Sequence, residues 1–140
     1  MERLDGVRYD IVVMLQPTSP LRTKEHVEDT IQMLIDGDWD AVWTVSETDS
    51  KNHPLKQLTV NDGQLDYYDQ SGKQIIARQQ LVPVYHRNGV AYAIRRSCLL
   101  EQQSISGERT GALVLEGDLV SIDTYWDLEL AEYIYSKGSQ

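Results

Sequence analysis

A chain of 140 residues is one domain or part of one, long enough to hide roughly two-thirds of its unfolded surface. With 13 Lys+Arg against 22 Asp+Glu, a net charge of −9 argues against sequence-independent nucleic-acid binding, which needs a basic face. The single cysteine, Cys98, excludes an internal disulfide and points to a reducing compartment, so the cytoplasm is expected. No stretch has the apolar length of a membrane span, and no membrane or nucleic-acid partner is expected.

The first expected strand is residues 10–15, near-continuously apolar as a strand buried on both faces would be. Pro17 and Pro20 then forbid its continuation, and Thr23 is suited to cap a helix with Glu25 in its first turn. Val27, Ile31, Leu34 and Ile35 form one apolar stripe that Gly37 ends. Residues 41–45 (AVWTV) read as a second buried strand, completing a βαβ unit and implying parallel strands.

Residues 46–88 break that rhythm, and 53–88 read as an excursion from the sheet. Within it, 55–60 and 64–68 flank Asn61-Asp62-Gly63, a hairpin turn signal. Residues 89–94 (GVAYAI) resume as a strand, 96–102 make a short helix and 112–115 (ALVL) another strand. A last helix begins at Thr124, with Leu128, Ala131 and Tyr135 on one face, Lys137 in its last turn and Gly138 after it. The fold class is therefore α/β with a mostly parallel sheet and one excursion. The sequence contains no Gly-rich phosphate loop of either nucleotide-binding type. Opening on a central-type strand leads to the expectation that something precedes it.

Ligands of open α/β sheets sit at the carboxyl ends of strands. Gln16, Thr18, Ser19 and Arg22 (in LQPTSPLR) follow such an end, either as a ligand rim or as a turn whose hydroxyls satisfy only backbone. Lys56 and Arg78 are cations in the excursion, either solvated or available to a carboxylate. Asn88-Gly89 opens an apolar strand where Asn-Gly normally makes a turn, so Gly89 is a place for close approach. Asp123, at a strand-to-helix junction, suits either Mg²⁺ or the helix dipole. His26, His53, His86 and Cys98 lack metal-cluster spacing, and Trp39, Trp43 and Trp126 read as core or dimer-contact residues.

Together, LQPTSPLR, HPLK, ARQQLVPVYHRNGVAYAI and SIDTYWDLELAE resemble the acylneuraminate cytidylyltransferase family, the CMP-sialic acid synthetases and their relatives for other nonulosonic acids. The motifs follow the family's order and spacing over nearly the whole chain. The resemblance implies a partial nucleotide-diphospho-sugar transferase fold, with CTP joined to an acidic nine-carbon sugar, pyrophosphate released and Mg²⁺ as cofactor. It matches Gln16 to a sugar-contacting glutamine and Lys56 and Arg78 to basic residues of the sugar-carboxylate region. Asn88 falls in an R-x-N-G-like segment, and Asp123 matches the last aspartate of a metal-binding D-x-D, a catalytic and metal role. The excursion 53–88 matches the arm through which family homodimers interlock.

Two departures accompany it. Ser121 stands where D-x-D has its first aspartate, and the family's N-terminal CTP-binding motif has no counterpart, so the resemblance is to a C-terminal portion. The chain alone is expected not to turn over CTP. The alternatives are an incomplete fragment that keeps only acidic-sugar binding and dimerisation, or a separate polypeptide supplying the rest.

Overall fold

The structure, a computed structural model, describes residues 6–75 and 77–138, the side chain of Arg78 excepted. The chain divides into two compact units, one comprising residues up to Ser46 together with those from Arg87 onward, the other Glu47–His86.

The first unit holds the sheet. Strand β1 (Ile11–Met14) leads through the proline-containing loop to helix α1 (Lys24–Asp36) and then β2 (Ala41–Glu47). The hydroxyl of Thr23 accepts from the His26 amide at 3.4 Å, and the Thr23 amide donates to His26 Nδ1 at 3.2 Å. The helix start is thus closed reciprocally by a histidine in place of the usual acidic or amide residue. The buried face of α1 centres on Thr30 and Leu34, while Ile35 at the edge of the stripe is 54% exposed.

Strand β5 (Tyr85–Arg95) lies between β1 and β2, and β6 (Thr110–Val114) completes the order β1-β5-β2-β6. β1 pairs antiparallel with β5, and β2 pairs parallel with β6. Arg95 meets Asp40 at one end of the β5–β2 pair and Asn88 meets Ser46 at the other, so these strands are antiparallel too. β1, β2 and β6 therefore run one way, as a parallel βαβ unit requires, and β5 alone runs against them. A pattern of apolar residues reports burial, not direction, so β5 as an antiparallel insertion was not foreseen. Nor was its early start at Tyr85, four polar residues ahead of the apolar run.

The sheet buries side chains on both faces. Leu34, Val42 and Ala93 pack with Ile11, Val13, Ile31, Met33, Trp39 and Leu113 under α1. Ala41, Tyr92, Ile94 and Cys98 pack with Trp43 and Leu99 on the other side, where α2 (Arg96–Leu100) lies. Fully burying Leu34 or Val42 stabilises the fold by roughly 2 kcal/mol each. Burial also pushes the Cys98 thiol above its ordinary pKa.

Three expectations need correction. β1 is buried on one face only: Val12 and Met14, on the side of Tyr92 and Ile94, are 42% and 36% exposed because the strand lies at an edge. In α3 (Tyr125–Gly138) only Ala131 is buried, and Tyr135 faces solvent. Trp126 is likewise 71% exposed, so of the two roles expected for it, core or dimer contact, the core is ruled out. Among the described residues, no helix is long and apolar enough to cross a membrane.

The second unit contains the hairpin β3 (Leu58–Asn61) and β4 (Gln64–Tyr67). Its two-residue turn has Asp62 at φ 50° and Gly63 at φ 81°, the left-handed pair that the Asp-Gly sequence announces. Short 3₁₀ turns at Pro54–Lys56, Gln70–Gln74 and Arg78–Gln80 make up most of the rest. His53 is buried here with a defined tautomer, Nδ1 accepting from the Leu55 amide and Nε2 donating to the Val82 carbonyl, both at 3.1 Å.

Candidate functional site: a polar rim on a strand kink

The loop after β1 is fastened to β5 by a small set of bonds. Arg22 Nε donates to the Val90 carbonyl and its Nη2 to the Gln16 carbonyl, each at 2.5 Å. The Gln16 amide donates to the Gly89 carbonyl at 3.3 Å, and Ser19 Oγ donates to the Asn88 carbonyl at 3.1 Å. Arg22, a ligand candidate by sequence, is thereby occupied with backbone. Ser19 is buried and holds the loop, whereas Gln16 is exposed with its carboxamide at the rim.

Gly89 has φ +73°, a conformation that L side chains rarely adopt. A Cβ there would lie 2.4 Å from Gln16 Oε1 and 2.8 Å from Ser19 Oγ. The close approach expected from Asn-Gly inside a strand is made by the protein's own rim. Asn88, 8% exposed, accepts at Oδ1 from the Val90 amide at 3.1 Å and the Thr44 hydroxyl at 2.7 Å. Its Nδ2 donates to Ser46 Oγ at 3.0 Å. The Val90 N–H fixes the orientation of this amide, because only the oxygen can accept it.

The segment before α3 reaches the same rim. The Ile122 amide donates to the Thr18 carbonyl at 2.8 Å, and Ser121 Oγ donates to Thr18 Oγ1 at 3.4 Å. Ser121 thus serves as a tie between loops. Asp127 Oδ2 accepts from the Thr124 amide at 2.7 Å, the Thr124 hydroxyl at 2.8 Å and the Asp123 amide at 3.1 Å. The Thr124 hydroxyl and these amides hold the Asp127 carboxyl below the usual carboxylate range. Capping is therefore done by Thr124 and Asp127, which leaves the exposed carboxylate of Asp123 uncommitted to the helix start.

Of the five sequence-derived site residues, the structure joins Gln16 and Asn88 through the Gly89 bend, and ties the segment that leads into Asp123 to the same loop through Ser121 and Ile122. Lys56 belongs to the other unit, exposed at the end of a 3₁₀ turn. Arg78 opens another such turn there, and its side chain lies outside the described residues. A hollow of about 560 Å³ in that unit is lined by Glu47, Thr48, Asp49, Asn52 and His86 among others, with two carboxylates in its wall. As for Mg²⁺, no group of three or more His, Cys, Asp or Glu side chains converges among the described residues. Asp123 fits the role of a single carboxylate ligand, the kind that Mg²⁺ accepts alongside substrate phosphates.

Sequence reasoning missed Thr44 and Ser46. Their signal was present: two hydroxyls two residues apart in the apolar strand AVWTVSE lie on one face of a strand, and that face meets Asn88.

No family model matches the chain. The N-acylneuraminate cytidylyltransferase of Streptococcus agalactiae serotype V is 28% identical over 113 residues, 80% of this chain and 27% of that protein. The proteins of the same name from serotypes III and Ia of that organism match to the same extent. The chain thus spans 27% of the length of the curated relatives it matches. A solved structure of CMP:2-keto-3-deoxy-manno-octonic acid synthetase complexed with CTP is similar in fold, with a TM-score of 0.56 and 21% identity. That likeness covers 98% of this chain and 66% of the other. The resemblance read from the motifs is therefore borne out: the chain is similar in sequence to N-acylneuraminate cytidylyltransferases, and its mixed α/β fold is similar to that of the octonic acid synthetase.

Proposed function

We propose that this chain forms the sugar side of a cytidylyltransferase, one that joins CTP to an acidic nine-carbon sugar, sialic acid or a related nonulosonic acid. The products are the CMP-sugar and pyrophosphate. The observation that carries this reading is the exposed Gln16 carboxamide, seated on the Gly89 kink beside the Asp123 segment, in a chain similar to N-acylneuraminate cytidylyltransferases.

In this reading the anomeric hydroxyl attacks the α-phosphorus of CTP in line, and the protein's contribution is positioning and charge. Gln16 donates to and accepts from sugar hydroxyls or the acyl amide. Lys56 and Arg78 face the sugar carboxylate, Arg78 with a fork that suits it bidentately. In a homodimer they come from the second copy, carried on the excursion 53–88. Asp123 would hold Mg²⁺ together with the nucleotide phosphates, and the ion would supply positive charge at the site of phosphoryl transfer.

A thermal-shift titration of the 140-residue chain tests this reading. N-acetylneuraminate is expected to raise the melting temperature, and Gln16→Ala to abolish the rise. No response to the sugar from a folded dimer overturns the proposal. The lack of a Gly-rich phosphate loop favours a second reading, in which the chain binds the sugar and dimerises without turnover. Pyrophosphate release from CTP and N-acetylneuraminate by the purified chain would exclude it.

A further inference from the structure

Resting on that reading, we propose that Asn88 is a positioning residue and not a sugar ligand: with Thr44 and Ser46 it sets the strand kink on which the Gln16 carboxamide is held for sugar recognition. The amide of Asn88 has few groups to spare. Its oxygen accepts twice, from Val90 N and Thr44 Oγ1, and its nitrogen donates one of its two protons to Ser46 Oγ. An amide oxygen has two lone pairs, so Oδ1 is saturated, and the residue is 8% exposed.

The bond from Val90 N–H back to a side chain two residues earlier is an Asx turn. Placed inside β5 it bends the strand at Gly89, whose φ of +73° follows from that bend. Two atoms of the bend then hold the rim: the Gly89 carbonyl receives the Gln16 amide, and the Asn88 carbonyl receives the Ser19 hydroxyl. The Gln16 side chain lies against the bare α-carbon of Gly89, where a methyl group would come within 2.4 Å of Oε1. The order of influence runs from the β2 hydroxyls to the Asn88 amide, from there to the Gly89 bend, and from the bend to Gln16.

The hydroxyl of Thr44 has one proton and two acceptors in reach, Asn88 Oδ1 at 2.7 Å and the Ala91 carbonyl at 3.0 Å. It also accepts from the Ala91 amide at 2.9 Å, which seats Thr44 in the ladder between the strands. Thr44 is fully buried, so a sugar does not touch it. Any effect of its hydroxyl on sugar binding must pass through the protein.

The test reads the side-chain amide of Gln16 directly. In a ¹⁵N spectrum of the full chain, its NH₂ pair is assigned by its disappearance in Gln16→Ala. The wild type is expected to show a dispersed pair, displaced from free-amide positions. Thr44→Val and Ser46→Ala are expected to move the pair toward those positions and to weaken N-acetylneuraminate about tenfold, the loss of one well-placed hydrogen bond. Thr44→Ser keeps the hydroxyl and is expected to restore both readouts, which a general loss of stability would not do. An unchanged Gln16 pair in folded Thr44→Val and Ser46→Ala overturns the positioning role. A pair that responds in both variants while the wild type ignores N-acetylneuraminate supports the positioning role and overturns the sugar reading.

Discussion

Leu34, Ala41, Val42, Ala93 and Cys98 have no exposed surface in the sheet-bearing unit, whereas in Glu47–His86 only His53 and Gly72 are buried among the described residues. In that second unit Leu58, Val60, Leu65, Tyr68, Val82 and Tyr85 all lie open. The pairs Leu58↔Tyr67 and Val60↔Leu65 stand directly opposite on one face of the hairpin, with no layer of core beneath them. A lone two-stranded hairpin is marginal in water. The sheet-bearing unit is thus held by apolar burial. The other is held by turns, a glycine contact and polar ties such as Lys73 with Asp66. A binding rim gains from the first kind of support, because its side chains must stay put. An arm that folds fully only against a partner is compatible with the second.

Four substitutions would sharpen or break that contrast. Leu34→Ala should have the largest effect, a loss of about 3 kcal/mol in the unfolding free energy measured in urea, because a fully buried leucine leaves a cavity. A loss below about 1 kcal/mol would mean the apolar core is not what holds this unit. Gly72→Ala comes next. A Cβ there meets the Leu55 carbonyl at 2.1 Å and Tyr67 Cδ1 at 2.7 Å, and backbone cannot step aside as a side chain can. It should cost about 2 kcal/mol, read as lost hydrogen-exchange protection in β3 and β4 with the sheet amides unaffected. Loss of protection throughout the chain would show the two units to unfold as one.

Thr23→Ala should cost about 1 kcal/mol by removing the cap of α1, seen as a lower urea midpoint. A pH experiment gives the smallest effect. Asp40 Oδ2 accepts from the amides of Arg109 at 2.9 Å and Glu108 at 3.0 Å, and the Arg109 amide above all holds its carboxyl below the ordinary 3.8. The unfolded chain binds the proton more readily. The contribution of Asp40 is therefore complete above pH 3.8 and is lost as pH falls through the folded value. Asp40→Asn should flatten the acid limb of the stability curve below about pH 4 and leave its neutral arm nearly parallel. An unaltered acid limb would remove Asp40 from the account of acid unfolding.

Legibility in the sequence followed the range of the interaction. The Asp62-Gly63 turn, the Thr23 and Thr124 helix starts and the βαβ order were all readable because each depends on residues within a few positions. Asn88 was singled out for the oddity of Asn-Gly within a strand, but its partners at Thr44 and Ser46 lie more than forty positions away. Arg22 was read as a rim candidate, and its true occupation with the carbonyls of Val90 and Gln16 required the loop to be seen lying on β5.

Residue types, their spacing and their charges sufficed for the α/β class, the helix ends, the turn and a likeness to acidic-sugar cytidylyltransferases. These are local or compositional properties, carried by neighbouring residues whatever the chain does elsewhere. Strand direction in β5, the open face of β1 and the hydroxyl-to-amide path beneath Gln16 came from three-dimensional packing. Each depends on which distant segments pair, and that is settled by the free energy of the whole assembled sheet, not by any stretch of it.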